Sequence, residues 1–305
     1  MKEGPLKRKL LNVWDSVHYI QKRILLLTRY RLSIMSTQQS IDFIINNHCA
    51  ISRFGDGELQ LMLDKDSSIG FQDSNSLLSQ RLRDIFCEPP PNLLICMPRY
   101  MNTTRGCTPV CKKYWRDWGV YGDLHQRTVK FVRSKVGKNY CFGNALLTRP
   151  YIDQLNPTKA QKTFDSLKRI WEGRDLLIIE GNKTRLGIGN DLFSNAQSIK
   201  RILAPATNAF DVYDKITQTA IALHTGELVL IALGPTATVL ASDLAAHNIQ
   251  ALDIGHIDIE YEWFLQRATS KTAIEGKFTN ESRSNQQVVD CTDKIYLSQI
   301  IAEVK

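Results

Sequence analysis

No apolar run in this 305-residue chain reaches the roughly 18 residues that a membrane-spanning helix needs. The N-terminus has no signal-peptide cleavage pattern, and Ile24–Leu27 is too short for the apolar core of one. Cysteine is sparse and unpatterned. The seven residues Cys49, Cys87, Cys96, Cys107, Cys111, Cys141 and Cys291 are odd in number, and only Cys107 and Cys111 fall four apart, with no second pair at zinc-ribbon spacing. Reduced thiols in a cytosolic protein are the plain reading. Low-complexity tracts and fixed-period repeats are missing, which argues against a disordered chain and a solenoid. Gly-Lys-Ser/Thr is also missing, which removes a P-loop.

A body-wide excess of positive charge is absent too. The net charge is +8, but residues 1–31 hold eight basic and two acidic side chains, leaving only +2 for the other 274 residues. The basic balance therefore describes the N-terminus and not a surface for a nucleic-acid polymer. Within 1–31, Leu10, Leu11, Val13, Trp14, Val17, Ile20, Ile24 and Leu25 follow a roughly helical spacing. Two readings stand: a helix packed on the body or on a second copy of the chain in a homo-oligomer, or a basic helix lying on an anionic membrane surface.

The chain does have enough apolar residues, 43%, to bury a core. From residue 50 short apolar runs alternate with helical patterns. The runs Ala50–Phe54, Leu93–Met97, Asn139–Phe142, Asp175–Glu180, Ile199–Leu203, Leu228–Leu233 and Gln250–Ile254 predict strands. Several are unbroken Ile/Leu/Val, as strands buried on both faces require. Ser76–Phe86, Leu124–Lys135, Phe210–Leu223 and Ala237–His247 predict helices, and Tyr296–Val304 predicts a closing helix. The alternation gives an α/β class: a Rossmann-like open, mostly parallel sheet with helices on both faces. Residues 1–36 form the basic segment, 37–270 the domain and 271–305 a polar tail.

In such sheets ligands bind beyond the carboxyl ends of strands. After Ala50–Phe54 comes Gly55-Asp56-Gly57-Glu58, two carboxylates one glycine apart. Hard divalent cations that bridge diphosphates want such oxygens, so Asp56 and Glu58 suit Mn²⁺ or Mg²⁺; a helix-capping turn explains them equally well. After Asp175–Glu180, the stretch Gly181–Phe193 combines Lys183 and Arg185 with Gly187, Gly189 and a helix start at Asn190 or Asp191. That is an anion site or a polar loop with its cap. After Leu228–Leu233, Gly234 turns the chain and Thr236 caps a helix suited to phosphate, or to nothing beyond the turn. After Gln250–Ile254 crowd Asp253, His256, Asp258, Glu260, Tyr261, Glu262 and Trp263. His256 suits a metal or a phosphate, Asp258 or Glu260 a base for an acceptor hydroxyl, and the aromatics a sugar or nucleobase; a helix with one wet face is the bland alternative.

Together, Arg53-Phe54-Gly55-Asp56-Gly57-Glu58, Glu180-Gly181-x-x-Thr184-Arg185-x-Gly187-x-Gly189-Asn190-Asp191, Leu233-Gly234-Pro235-Thr236-Ala237 and Leu252–Tyr261 resemble, in order, the motifs of the GT-D glycosyltransferases, a bacterial family. The likeness covers residues 37–268. It implies a UDP-sugar donor and a metal held by an Asp-x-Glu motif, here Asp56 and Glu58, in an enzyme similar in role to those that build surface polysaccharides or extend glycoprotein glycans; the oligosaccharide or glycan acceptor itself does not carry over. Placed in that scheme, Arg185 and Arg53 add charge at the leaving group. Gly55, Gly187, Gly189, Asn190, Asp191, Gly234, Thr236, Asp253 and His256 contact the nucleotide, and Asp258, Glu260 and Arg185 serve the chemistry. A cytoplasmic enzyme is expected, and the membrane reading of residues 1–31 would place it peripherally on the inner face of the membrane. The residues alone leave two rivals, a metal-dependent phosphohydrolase and a non-catalytic nucleotide-sugar-binding subunit.

Overall fold

The computed structural model describes residues 20–22, 24–26, 28–121, 123–279 and 290–305. Its frame is a nine-stranded sheet, parallel throughout, in the order β1-β4-β3-β2-β8-β7-β5-β6-β9. The strands are β1 (Ser33–Ile34), β2 (Ala50–Arg53), β3 (Leu93–Met97), β4 (Cys141–Asn144), β5 (Asp175–Gly181), β6 (Ser198–Ala204), β7 (Leu228–Ala232), β8 (Ala251–Asp253) and β9 (Ile300–Glu303). All seven runs read from the sequence are strands of this sheet.

The unbroken apolar runs split between two cores, as strand geometry demands. Ala50, Ile95, Leu177, Ile179, Val229 and Ile231 face one side; Ile51, Leu94, Leu176, Ile178, Leu230 and Leu252 face the other. The first side is covered by α2 (Asp56–Leu63), α3 (Ser76–Cys87), α5 (Leu124–Val136), α7 (Tyr213–Leu223) and α8 (Pro235–Ala246). The second is covered by α1 (Thr37–Asn47), α6 (Ala160–Trp171) and α9 (Ile257–Leu265). Two further α-helices are α4 (Pro109–Arg116) and α10 (Lys294–Gln299). Local chemistry starts several of them. Ser36 and Gln39 cap α1 reciprocally, Asn75 caps α3, and Thr108 followed by Pro109 opens α4.

Three sequence expectations are corrected. The closing helix over Tyr296–Val304 is instead α10 followed by the edge strand β9, because Ile300–Glu303 finds an open ladder on β6. No helix starts at Asn190 or Asp191; residues 182–197 are turns and bends. Residues beyond 270 are also more than a tail, since β9 joins the sheet and Lys277 is 4% exposed. The reading of 1–31 falls mostly outside the described residues; within them Leu26 is buried, Ile20 and Ile24 are exposed, and Lys22 pairs with Asp123 at 3.0 Å. All seven cysteines are free thiols, and no described helix is long and apolar enough to cross a membrane.

Candidate functional site

Strand order reverses direction at β2/β8 and again at β5/β7. From β2 the chain moves to β3 on one side, while β7 leads to β8 from the other. Crevices form at such points, and here they merge into one cleft of about 700 Å³ at the carboxyl ends of the strands. Of the sequence-predicted residues, Arg53, Gly55, Asp56, Glu58, Gly234, Asp253, His256 and Asp258 line it. Arg185, Gly187, Gly189, Asn190, Asp191, Thr236 and Glu260 are not among its lining residues.

Asp56 and Glu58 sit in the first turn of α2, where the helix dipole favours negative charge. Glu58 Oε2 accepts from the Gly55 amide at 2.8 Å, and the Tyr114 hydroxyl of α4 donates to Asp56 Oδ2. Burial, then the Asp253 carboxylate and, less strongly, Asp56 push the Glu58 carboxyl up to about 7. The crowded acids therefore repel one another inside a half-closed cleft. This donor set fits a hard divalent cation. No group of three or more His, Cys, Asp or Glu converges among the described residues.

Arg53 is committed elsewhere. Its Nη2 lies 3.1 Å from Asp253 Oδ1, its Nε donates to the Asp253 carbonyl and its Nη1 to the Ala145 carbonyl. Asp253 Oδ2 also accepts from the Thr238 hydroxyl at 3.1 Å. Burial raises the Asp253 carboxyl, opposed chiefly by Arg53. Gly255, at φ +45°, lets the guanidinium pass, since a Cβ there would lie 1.9 Å from Arg53 Nη2.

The two acids expected to be the base are committed as well. Asp258 Oδ1 accepts from the Gly187 amide at 2.9 Å and from Asn190 Nδ2 at 2.8 Å, while Oδ2 meets Lys277 Nζ at 2.7 Å. Lys277 also bonds Glu262, at 2.8 Å. Asp258 therefore pins the glycine-rich turn to α9. Glu260 Oε2 accepts from the Tyr151 and Ile152 amides at 3.0 and 3.1 Å, and Oε1 lies 3.7 Å from Arg149 Nε. Burial pushes the Glu260 carboxyl up to about 7. Arg185, at φ +54°, donates to the Gly276 carbonyl, and Asp191 faces Lys168 and Tyr261. Thr236 does not cap α8 as the sequence suggested: Gly234 takes the cap position, without a side-chain cap bond, and Thr236 is fully buried in the first turn.

Sequence reasoning missed several cleft residues: Phe71, Tyr100, Tyr114, Trp115, Arg149, Asp153, Lys271 and Phe278. Arg149 and Asp153 follow β4, and Tyr100 follows β3, so the rule applied to four strand ends would have found them at six. Phe71 packs against Gly234, and Trp115 stacks edge-on with Tyr100 at 5.5 Å. Lys271 and Phe278 carry no local signal.

Comparison with known proteins agrees with this geometry. The model of the family described as "Glycosyltransferase GT-D fold" matches residues 51–282. The chain is 35% identical over 275 residues to a probable glycosyl transferase Gly of Streptococcus gordonii, and 36% identical over 274 residues to glycosyltransferase GlyD of Streptococcus pneumoniae. Each alignment takes in 90% of this chain but only 39% and 33% of those proteins, so the chain spans between a third and two fifths of their length. Among solved structures, a domain of unknown function 1792 said to have a distinct glycosyltransferase fold superposes with a TM-score of 0.82 at 33% identity, over 94% of this chain and 100% of that one. A glycosyltransferase of the same domain type from Streptococcus sanguinis gives 0.82 at 35% identity, over 90% of this chain and 100% of that one.

Proposed function

This chain belongs to the glycosyltransferase GT-D fold family, and on that premise we propose that it moves a sugar from a UDP-sugar to a carbohydrate acceptor, with Mn²⁺ or Mg²⁺ held at Asp56 and Glu58. The observation that carries the proposal is the pair of acids on the first turn of α2. They open into a cleft of nucleotide-sugar size, and the Glu58 carboxyl is pushed up to about 7 beside Asp253 and Asp56. A bound divalent ion supplies Lewis-acid stabilisation for the diphosphate that leaves as the glycosidic bond breaks. Tyr114 orients Asp56 through its hydroxyl, and the Gly55 amide orients Glu58. Gly234 opens α8 at the cleft, a helix N-terminus suited to phosphate oxygens. Arg53 and Asp253 keep the β2 and β8 ends in register, and Arg149 and Lys271 bring positive charge to the cleft wall. The acceptor is a glycan of a surface polysaccharide or a glycoprotein, built on the cytoplasmic side. The free thiols suit that compartment.

Asp56→Ala and Glu58→Ala test this directly. Both variants should keep the wild-type melting curve and lose metal-dependent sugar transfer. Full activity in either variant, or in excess EDTA, overturns the proposal. UDP release that is indifferent to any sugar acceptor would mark a phosphohydrolase instead.

A further inference from the structure

Among the described residues five carboxylates line the cleft: Asp56, Glu58, Asp153, Asp253 and Asp258. Four are spent. Asp56 and Glu58 face the cation site, Asp253 is locked by Arg53 and Thr238, and Asp258 by Lys277, Asn190 and the Gly187 amide. The fifth is different. Asp153 Oδ2 lies 3.7 Å from Arg149 Nη2 and Oδ1 lies 3.8 Å from Lys271 Nζ, both beyond hydrogen-bond length. Its carboxylate oxygens thus keep lone pairs for a ligand proton.

The backbone that carries this loosely paired acid is held tightly. The Thr108 amide donates to the Asp153 carbonyl at 3.0 Å. Glu260 Oε2 accepts the amides of Tyr151 and Ile152 just before it, and Gln154 just after it bonds the Tyr100 hydroxyl at 2.8 Å. Arg53 ties the turn that precedes it, through the Ala145 carbonyl, to the β2 and β8 ends. A fixed backbone with an under-used carboxylate in a cleft is how a group awaiting substrate is presented. Tyr100 and Trp115 form an aromatic wall in the same cleft, of the kind that packs against sugar rings.

We propose that Asp153 is the base that deprotonates the acceptor hydroxyl. The assignment rests on the reading of the cleft as a UDP-sugar site. The acceptor oxygen forms its bond to the anomeric carbon, and the bond from that carbon to the β-phosphate oxygen breaks, its electron pair leaving on UDP. The hydroxyl proton passes to the Asp153 carboxylate and then to solvent. Such a single displacement inverts the anomeric configuration. Glu260, which the sequence put forward as the base, is then a positioning residue for the turn that presents Asp153.

The test uses the full chain with Mn²⁺ and whichever of UDP-glucose, UDP-galactose and UDP-N-acetylglucosamine the wild type turns over fastest. Asp153→Asn should lower kcat for transfer by about 100-fold or more. Its UDP-sugar KM and its melting temperature should stay near wild type. Sodium azide, a nucleophile that needs no base, should restore UDP release to Asp153→Ala and give a glycosyl azide of inverted configuration. Transfer within about threefold of wild type in Asp153→Asn, no azide rescue, or retained configuration in the product overturns the assignment. Should the Asn variant fail to fold, the configuration of the wild-type product decides. Failure of the UDP-sugar reading itself shows separately, as a wild-type protein that neither binds UDP nor turns over any of the three donors; the assignment to Asp153 falls with it.

Discussion

Arg53 grips Asp253 twice, through Nη2 to Oδ1 at 3.1 Å and through Nε to the main-chain carbonyl at 2.7 Å. One residue ends β2 and the other ends β8, so this pair fastens the two strands between which the sheet's connections diverge. The side chains are 13% and 3% exposed. Removing one partner leaves a charge in a poorly solvated place, which costs about 3–5 kcal/mol in comparable sites. Asp253→Ala should lower the urea-unfolding free energy by about that amount. An Arg53→Met, Asp253→Ala double variant should be less destabilised than the two single losses added together. Strict additivity would show that the pair is not an energetic unit.

The same guanidinium makes Gly255 irreplaceable. A Cβ at Gly255 would fall 1.9 Å from Arg53 Nη2, at φ +45°. Arg53 cannot swing aside without losing Asp253 and the Ala145 carbonyl. Gly173 is the natural control, with φ +65° and nothing within 4 Å of an added Cβ. Gly173→Ala should cost only the left-handed strain, about 1 kcal/mol. Gly255→Ala should cost distinctly more and depress transfer as well. Equal losses in thermal denaturation would refute the steric argument.

Most of the sheet was readable because its central strands β3, β5 and β7 are apolar runs buried on both faces, such as Leu176–Ile179. The edges were not. Ser33–Ile34 is two residues long, and Ile300–Glu303 alternates in burial within a stretch that also supports a helix. At the site, Asp56, Glu58, Asp253 and His256, singled out by their place after strands, line the cleft. Position does not reveal pairing. Asp258 and Glu260 follow β8 as invitingly as any catalytic acid, but their partners come from Lys277, 19 residues on, and from the Tyr151 and Ile152 amides, over 100 residues back. Long-range pairing of this sort leaves no local pattern.

Lys277 is 4% exposed and bridges Asp258 at 2.7 Å and Glu262 at 2.8 Å. Lys277→Met would leave two carboxylates facing each other across a buried gap. The expected cost is about 3–5 kcal/mol, read as a lower urea midpoint. Adding Asp258→Asn should recover part of that loss, because an amide can keep a hydrogen bond without the charge. No recovery in the double variant would mean that Lys277 acts through packing alone.

Glu260 gives stability a pH dependence of definite sign. Burial pushes its carboxyl up to about 7, against pulls from Arg149 and from the Ile152 and Tyr151 amides. In the unfolded chain a glutamate titrates near 4.5. The folded state therefore holds this proton more tightly, and its contribution is complete below about pH 4.5. It is lost as pH rises through about 7, because ionising a buried carboxylate is then charged against the fold. At about 1.4 kcal/mol per tenfold change in proton affinity, the loss amounts to roughly 3 kcal/mol at most. Glu260→Gln removes the titration while its amide oxygen can still accept from the Tyr151 and Ile152 amides. Urea unfolding of both proteins at pH 5, 6, 7 and 8 isolates this group, since titrations elsewhere cancel in the difference. The variant should be the less stable of the two at pH 5 and should gain on the wild type as pH rises. Parallel stability curves would show that Glu260 does not titrate in this range.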